Sequence, residues 1–226
     1  MAFTSPHPCR LFIFDLDGTL IDSRSDIIGA LNRTLARMSL KPLPEYQAAG
    51  FIGNGVQKLI ERALSQATGR TPEPARVQEG IILFRQEYEG HLLDRTHLYP
   101  GVKEALDQLS WARCAIVTNK PENFSRLILE GLGLGGRFSP ILGEDSTQTR
   151  KPDPAPLLRA MDYWRAAPDQ TVMVGDSAVD IEAGKAAGVI TCGVLTGFRP
   201  KEELLASGCN LLVASLLELV PHFCPC

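Results

Sequence analysis

Hydrophobic positions along the chain fall into two patterns. Short unbroken apolar runs occur at Leu11–Phe14, at 114–118 and at Thr171–Gly175. Such runs fit strands covered on both faces, as in a parallel sheet. Residues 189–195 and Leu211–Val213 are weaker versions. Between the runs lie helical periodicities. Val102, Ala105, Leu106 and Leu109 share one face after Pro100 and Gly101, and Leu157, Leu158, Met161 and Trp164 share another after Pro154. The segment 178–187 is short and Ala-rich, with Gly188 as its stop. Strand alternating with helix predicts an α/β fold with a Rossmann-like parallel-sheet core. Ligands of such sheets bind at the carboxyl ends of the strands.

One stretch departs from this alternation. From 22 to 94 the apolar spacing is helical throughout. Ile27, Ile28, Leu31, Leu35 and Met38 make one face, with Asp22 or Ser23 as a candidate cap. Val56, Leu59, Ile60, Ala63 and Leu64 make a second, ending near Gly69, and Val77, Ile81, Phe84, Tyr88 and Leu92 make a third. Prolines at 42, 44, 72 and 74 separate them. A crossover minimally needs roughly 10–12 residues, so this stretch predicts a second, all-helical domain inserted after the first strand. The expected division is 1–21 with 95–226 as the α/β core and 22–94 as the insert.

Polar residues collect where the strands end. The first strand runs into Asp15, Leu16, Asp17, Gly18, Thr19 and Leu20. Residues i and i+2 of an extended chain face one side, so Asp15 and Asp17 converge. Carboxylates that close repel, which raises a pKa or recruits a cation. The second strand ends in Thr118, Asn119 and Lys120, whose hydroxyl and backbone N–H groups suit an anion. Lys151 precedes a helix, and the third strong strand ends in Asp176 with Asp180 one helical turn on. Carboxylates, a lysine and a threonine at one sheet edge suggest a site for Mg²⁺ and phosphate, because Mg²⁺ takes a few carboxylates and lets water and phosphate complete its shell.

Asp15-x-Asp17-Gly18-Thr19-Leu20, Thr118-Asn119, Lys151-Pro152 and Gly175-Asp176-x-x-x-Asp180 resemble, in order, the four motifs of the haloacid dehalogenase-like phosphohydrolases. The resemblance covers essentially the whole chain, and the helical insert is similar to that family's first-position cap. Residues 51–56 and 117–121 look most like those of phosphoglycolate phosphatases. The resemblance implies Asp15 as a nucleophile that forms an aspartyl-phosphate and Asp17 as general acid and then base. It implies Mg²⁺ held by Asp15, the Asp17 backbone carbonyl and Asp176. It further implies Thr118, Asn119 and Lys151 on the phosphoryl group, and Asp180 behind them, orienting water or Lys151. Gly53, Asn54 and Gly55 are a turn and a helix start in their own right, and the resemblance adds substrate specificity to them. Lys58 and Arg62, on the polar side of the next helix, read as solvated surface, with contact to a substrate carboxylate as the alternative. The implied substrate is a small phosphorylated metabolite, 2-phosphoglycolate first, with pyrophosphate or a sugar phosphate as alternatives. A phospho-aspartate receiver module is the reading from another class; it has no use for Asp17 as an acid or for a helical lid.

Composition narrows the partners. The 226 residues are 44% hydrophobic and 22% charged with a formal net charge of −3, ordinary for a globular protein. No basic excess points to nucleic acid or anionic lipid. No apolar run reaches the ~18–20 residues of a membrane span. The N-terminal segment lacks a signal-peptide pattern, so a cytoplasmic protein is the expectation; no seam compels a dimer, and monomer and homodimer both stay open. The six cysteines are scattered. Cys114 and Cys192 read as core thiols, and Cys224 and Cys226 as a frayed tail. His91 and His97 have no ligand partner at useful spacing.

Overall fold

The computed structural model of the protein describes residues 5–226; Met1 to Thr4, on which part of the signal-peptide reading falls, lie outside them. In chain order the elements are β1 (His7–Cys9), β2 (Leu11–Phe14), β3 (Ile21–Asp22), α1 (Arg24–Arg37), α2 (Glu45–Ala48), α3 (Val56–Thr68), α4 (Pro74–Glu89) and β4 (His97–Leu98). There follow α5 (Val102–Gln108), β5 (Arg113–Val117), α6 (Glu122–Gly131), β6 (Ile141–Leu142), α7 (Ala155–Trp164) and β7 (Thr171–Gly175). The chain closes with α8 (Ala178–Ala186), β8 (Ile190–Val194), α9 (Lys201–Ser207), β9 (Leu211–Val213), α10 (Leu216–Leu219) and β10 (Phe223–Pro225). The chain divides into two compact units, Ser23–His97 and the remainder.

The larger unit is an α/β fold on a six-stranded parallel sheet ordered β6-β5-β2-β7-β8-β9. The first of these six strands in sequence, β2, is therefore central, and the chain winds outward from it in both directions. That reversal creates the crevice where parallel sheets bind ligands. Register fixes the edge: Phe14 pairs with Ile116 of β5 and with Val174 of β7. Asp15, one residue past that pairing, donates its N–H to Val174 O at 2.9 Å. Burial on both faces accounts for the unbroken apolar runs. On one face Leu11, Ile13, Val117 and Met173 pack with Leu157 and Met161. On the other, Phe12 meets Trp111 and Phe223 edge-on, and Phe14 meets Phe138.

Three expectations need correction. Leu158 does not share the inward face of α7; it is 47% exposed, while Leu157, Ala160 and Met161 turn in. The C-terminus is not frayed: β10 pairs in parallel with β1, Cys9 opposite Pro225, and buries Phe223. Ser23 is the N-cap of α1, but its side chain makes no capping hydrogen bond. The six cysteines are free thiols, and burial pushes Cys9 and Cys114 up to about 12. At neutral pH these two are protonated packing groups.

The helical unit packs α1, α3 and α4 through the predicted apolar faces, with Leu31, Leu35, Ile60, Leu64, Phe84 and Tyr88 at its centre. Gly80 lets α4 approach α3, since a Cβ there would meet Ile60 at 2.6 Å. Gly69 closes α3 in the left-handed conformation. Asp26 is the buried charge of this unit, and backbone N–H groups of Arg95 and Thr96 and the Thr96 hydroxyl donate to it. No helix among the described residues is long and apolar enough to cross a membrane.

Candidate active site

The carboxyl ends of β2, β5 and β7 are neighbours, so residues from the first, second and third strong apolar runs meet at one edge. Beyond β2 the chain turns at once: the N–H groups of Thr19, Leu20 and Ile21 reach back to Leu16 O, and Gly18 donates to Ile21 O with φ at +88°. This turn buries Asp15 and Thr19 and leaves the Asp17 side chain 12% exposed. Beyond β7 the backbone opens α8 with a capping box. Asp180 Oδ2 accepts from the Ser177 N–H at 3.1 Å and the Ser177 hydroxyl at 2.7 Å.

The charged groups interlock. Lys151 Nζ lies 2.6 Å from Asp180 Oδ1 and 2.9 Å from Asp15 Oδ1. The second approach is close enough for ion pairing but off the angle of a hydrogen bond, and Asp15 Oδ1 lacks an aligned donor. Burial alone would lower the Lys151 pKa, but Asp15 and Asp180 outweigh it and hold it above the usual lysine value. Asp180, with both oxygens committed, orients the lysine. Asn119 supports the same loop, its Nδ2 donating to Lys151 O at 3.1 Å. Thr118, directly after β5, is buried, its N–H on Leu142 O of β6 and its hydroxyl accepting from the Lys120 N–H.

The acidic groups are not fully compensated by the protein. Asp15, Asp176 and Asp180 each offer a carboxylate oxygen within 4.8 Å of the others. Burial pushes the Asp15 carboxyl up to about 6; Lys151 opposes the rise, and Asp180 and Asp17 add to it. Burial, Asp180 and Asp15 raise Asp176 well above the usual carboxylate range. All-oxygen donors, like-charge crowding and the unaligned Asp15 oxygen fit a hard divalent cation, with Asp15 and Asp176 as the carboxylates that face it.

Several functional contacts escape the sequence reading. The Asp176 carboxylate lies in a cradle of glycines: a Cβ on Gly18 would come within 2.3 Å of it, and one on Gly197 within 2.1 Å. The Phe198 N–H donates to its Oδ2 at 2.8 Å. Gly197 and Phe198 follow β8, and their relevance depends on β8 lying beside β7. Lys120 is the other: its ammonium lies 2.8 and 3.0 Å from the two Asp17 oxygens, with both side chains largely buried. Position directly after Thr118-Asn119 was the available signal.

Gly53, Asn54 and Gly55 belong to the helical unit. Gly53 and Gly55 take positive φ, and Arg62 braces the turn by donating to Asn54 Oδ1 at 2.8 Å. Arg62 is thus a support rather than solvated surface, whereas Lys58 pairs with Glu61 on the exposed face. His91 pairs with Asp94, and the His97 ring faces the Arg95 carbonyl.

The chain is similar to known proteins. Residues 12–194 match the family model of the haloacid dehalogenase-like hydrolases. A phosphoglycolate phosphatase of Cereibacter sphaeroides is 42% identical over 216 residues, covering 93% of this chain and 97% of that protein. One from Pseudomonas putida is 37% identical over 219 residues, covering 94% and 79%. A crystal structure titled as a predicted phosphoglycolate phosphatase from Haemophilus somnus 129PT superposes with a TM-score of 0.88 at 30% identity, covering 94% of this chain and 96% of that one. With the family model spanning both strand-end carboxylate motifs and the threonine and lysine between them, the chain belongs to the haloacid dehalogenase-like hydrolases.

Proposed function

We propose that the protein is a Mg²⁺-dependent phosphomonoesterase that hydrolyses a small anionic ester, 2-phosphoglycolate first, through an aspartyl-phosphate on Asp15. One observation carries the reading: a buried carboxylate, Asp15, sits with one oxygen beside Lys151 and without an aligned hydrogen-bond donor, while Asp17 stands two residues further round the same turn. The curated relatives named phosphoglycolate phosphatase support the choice of ester.

Each residue has one task. Asp15 attacks phosphorus, the ester oxygen leaves, and the phosphoryl group passes to the carboxylate. Lys151 and the Thr118 hydroxyl and backbone neutralise charge on the phosphoryl oxygens, and Asn119 holds the Lys151 loop. Asp17 protonates the departing alkoxide and then takes a proton from the water that hydrolyses the aspartyl-phosphate. Asp15, the Asp17 carbonyl and Asp176 would hold Mg²⁺. When bound, it supplies positive charge that offsets repulsion between an anionic nucleophile and an anionic ester. On the same reading the helical unit is the family's cap, with Gly53, Asn54 and Gly55 as candidates for substrate specificity.

The test is phosphate release with Mg²⁺ or with EDTA over 2-phosphoglycolate, pyrophosphate, sugar phosphates and nucleoside monophosphates. A Mg²⁺-dependent kcat/KM for 2-phosphoglycolate well above the rest is expected. A higher value for another ester would keep Asp15 and Asp17 in their roles and overturn the substrate; no Mg²⁺-dependent release from any would overturn the reading itself.

A further inference from the structure

Two lysines are buried in the α/β unit among the described residues, and they sit on different acids. Lys151 serves Asp15, at the phosphoryl end of the reaction. Lys120 serves Asp17, the acid that meets the leaving group. A buried ammonium is costly unless its geometry is fixed and its charge answered, and the backbone of Lys120 is fixed on both sides. Its N–H donates to the Thr118 hydroxyl at 3.2 Å, and its carbonyl accepts from Glu144 at 3.0 Å. Gly143, next to Glu144, has no room for a Cβ, which would meet the Lys120 carbonyl at 2.6 Å.

Resting on the phosphomonoesterase reading, we propose that Lys120 recognises a carboxylate on the leaving group and selects phosphate esters of small α-hydroxy acids. The argument is one of reach. To pass a proton, an Asp17 oxygen must come within about 3 Å of the ester oxygen. The Lys120 ammonium is 2.8 Å from one Asp17 oxygen and 3.0 Å from the other, so it lies no more than about 6 Å from that ester oxygen. With covalent bonds of roughly 1.5 Å, the carboxylate of an α-hydroxy acid ester places its oxygens about 3 Å from the ester oxygen. An ammonium contacts it there while still facing Asp17, since a lysine carries three donors. A neutral leaving group offers the lysine no charge to contact, and a cationic one is repelled.

The test uses three esters of equal chain length: 2-phosphoglycolate, 2-hydroxyethyl phosphate and phosphoethanolamine. Wild-type kcat/KM is expected to fall in that order, by at least ~10-fold from the first to the second, the scale of a well-placed charge contact. Lys120→Met should bring the ratio of the first two close to one, and Lys120→Arg should keep the preference. Lys120→Gln, which retains a donor to Asp17, is the second variant should Lys120→Met fail to fold, and the same collapse is expected of it. Arg199, a further cation that acts on this edge through Asp176, is the control. If Arg199→Met collapses the ratio instead, the proposal is overturned. An equal loss on all three esters in Lys120→Met and Lys120→Gln also overturns it, because the lysine then serves Asp17 alone. A wild-type enzyme that favours phosphoethanolamine overturns it without any variant. Mg²⁺-dependent hydrolysis of these esters with an unchanged ratio in the variants sinks only this inference, whereas no hydrolysis of any ester sinks the function it rests on.

Discussion

The two units of this molecule treat buried charge in opposite ways. In the helical unit the charges lie mainly on the exterior, where Arg33 and Arg37 share Glu87 and Arg76 pairs with Glu79. Its buried acid, Asp26, is answered by backbone N–H groups and a hydroxyl. In the α/β unit Asp15, Asp176 and Asp180 crowd one edge, with Lys151 too little to quiet them. Stability alone does not favour that cluster, because desolvated like charges cost free energy. The difference separates a unit built for chemistry from one built for packing.

The largest expected effects lie at the centre of the crowded edge. Asp15→Asn should lower turnover by at least ~10⁴-fold, as removal of a nucleophile does, with no phosphoenzyme trapped on rapid acid quench. A labelled phosphoenzyme in that variant would place the nucleophile elsewhere. Asp17→Asn should cost at least ~10²-fold in kcat, the scale of general acid–base catalysis. The loss should be greatest for esters with poor leaving groups; near-normal turnover of an alkyl phosphate would remove its assigned role.

Stability experiments address the same contrast. Lys151→Met leaves Asp15 and Asp180 without their cation and should destabilise by ~3–5 kcal/mol in urea unfolding at pH 7. A loss under ~1 kcal/mol would mean that the acids are not charged together.

Metal and pH come next. The folded pKa of Asp15, about 6, and that of Asp176 lie above the ~3.9 of an unfolded aspartate. At these two carboxylates the metal-free folded state therefore binds more protons than the unfolded chain above about pH 4, and their contribution to stability falls as pH rises through about 4 to 6, and further where Asp176 titrates. On the proposed function, Mg²⁺ would compete with those protons. At ~100 times its Kd it should add ~2.7 kcal/mol at pH 7.5, or ~5–10 °C in Tm, and clearly less at pH 5. Equal gains at both pH values would separate the cation from these carboxylates. The smallest effect belongs to the helical unit. Glu87→Ala loses partly exposed pairs and should cost ~0.2–1 kcal/mol with kcat unchanged, by calorimetry and steady-state assay. A cost like that of Lys151→Met would erase the distinction between the units.

Much of this was legible along the chain. Strands buried on both faces show as unbroken apolar runs, and Asp15, Thr118 and Asp176 stand at their ends. The three amphipathic faces of the insert are local patterns of period 3.6, and they pack as read. Leu158 was misread because a stripe drawn through neighbours in sequence takes in a residue about 100° round the helix. Strand β10 was missed because it contains one large apolar side chain, Phe223, and pairs with β1 more than 200 residues away. Its stability comes from Phe223 against Phe12, which no local pattern reports.

By itself, then, the sequence determined which elements form and which acids stand at strand ends, because backbone periodicity and turn chemistry act between residues a few positions apart. Only the tertiary structure decided which of those ends are neighbours. The order β5-β2-β7 brings Asp15, Thr118 and Asp176 together, and the place of β8 beside β7 turns Gly197 and Phe198 into the cradle of Asp176. The same packing buries Lys120 against Asp17, a pairing that the chain alone, which offers Lys120 only as part of an anion-suited strand end, does not show. Desolvation and close approach between distant segments create these relations, and both exist only once the sheet has closed.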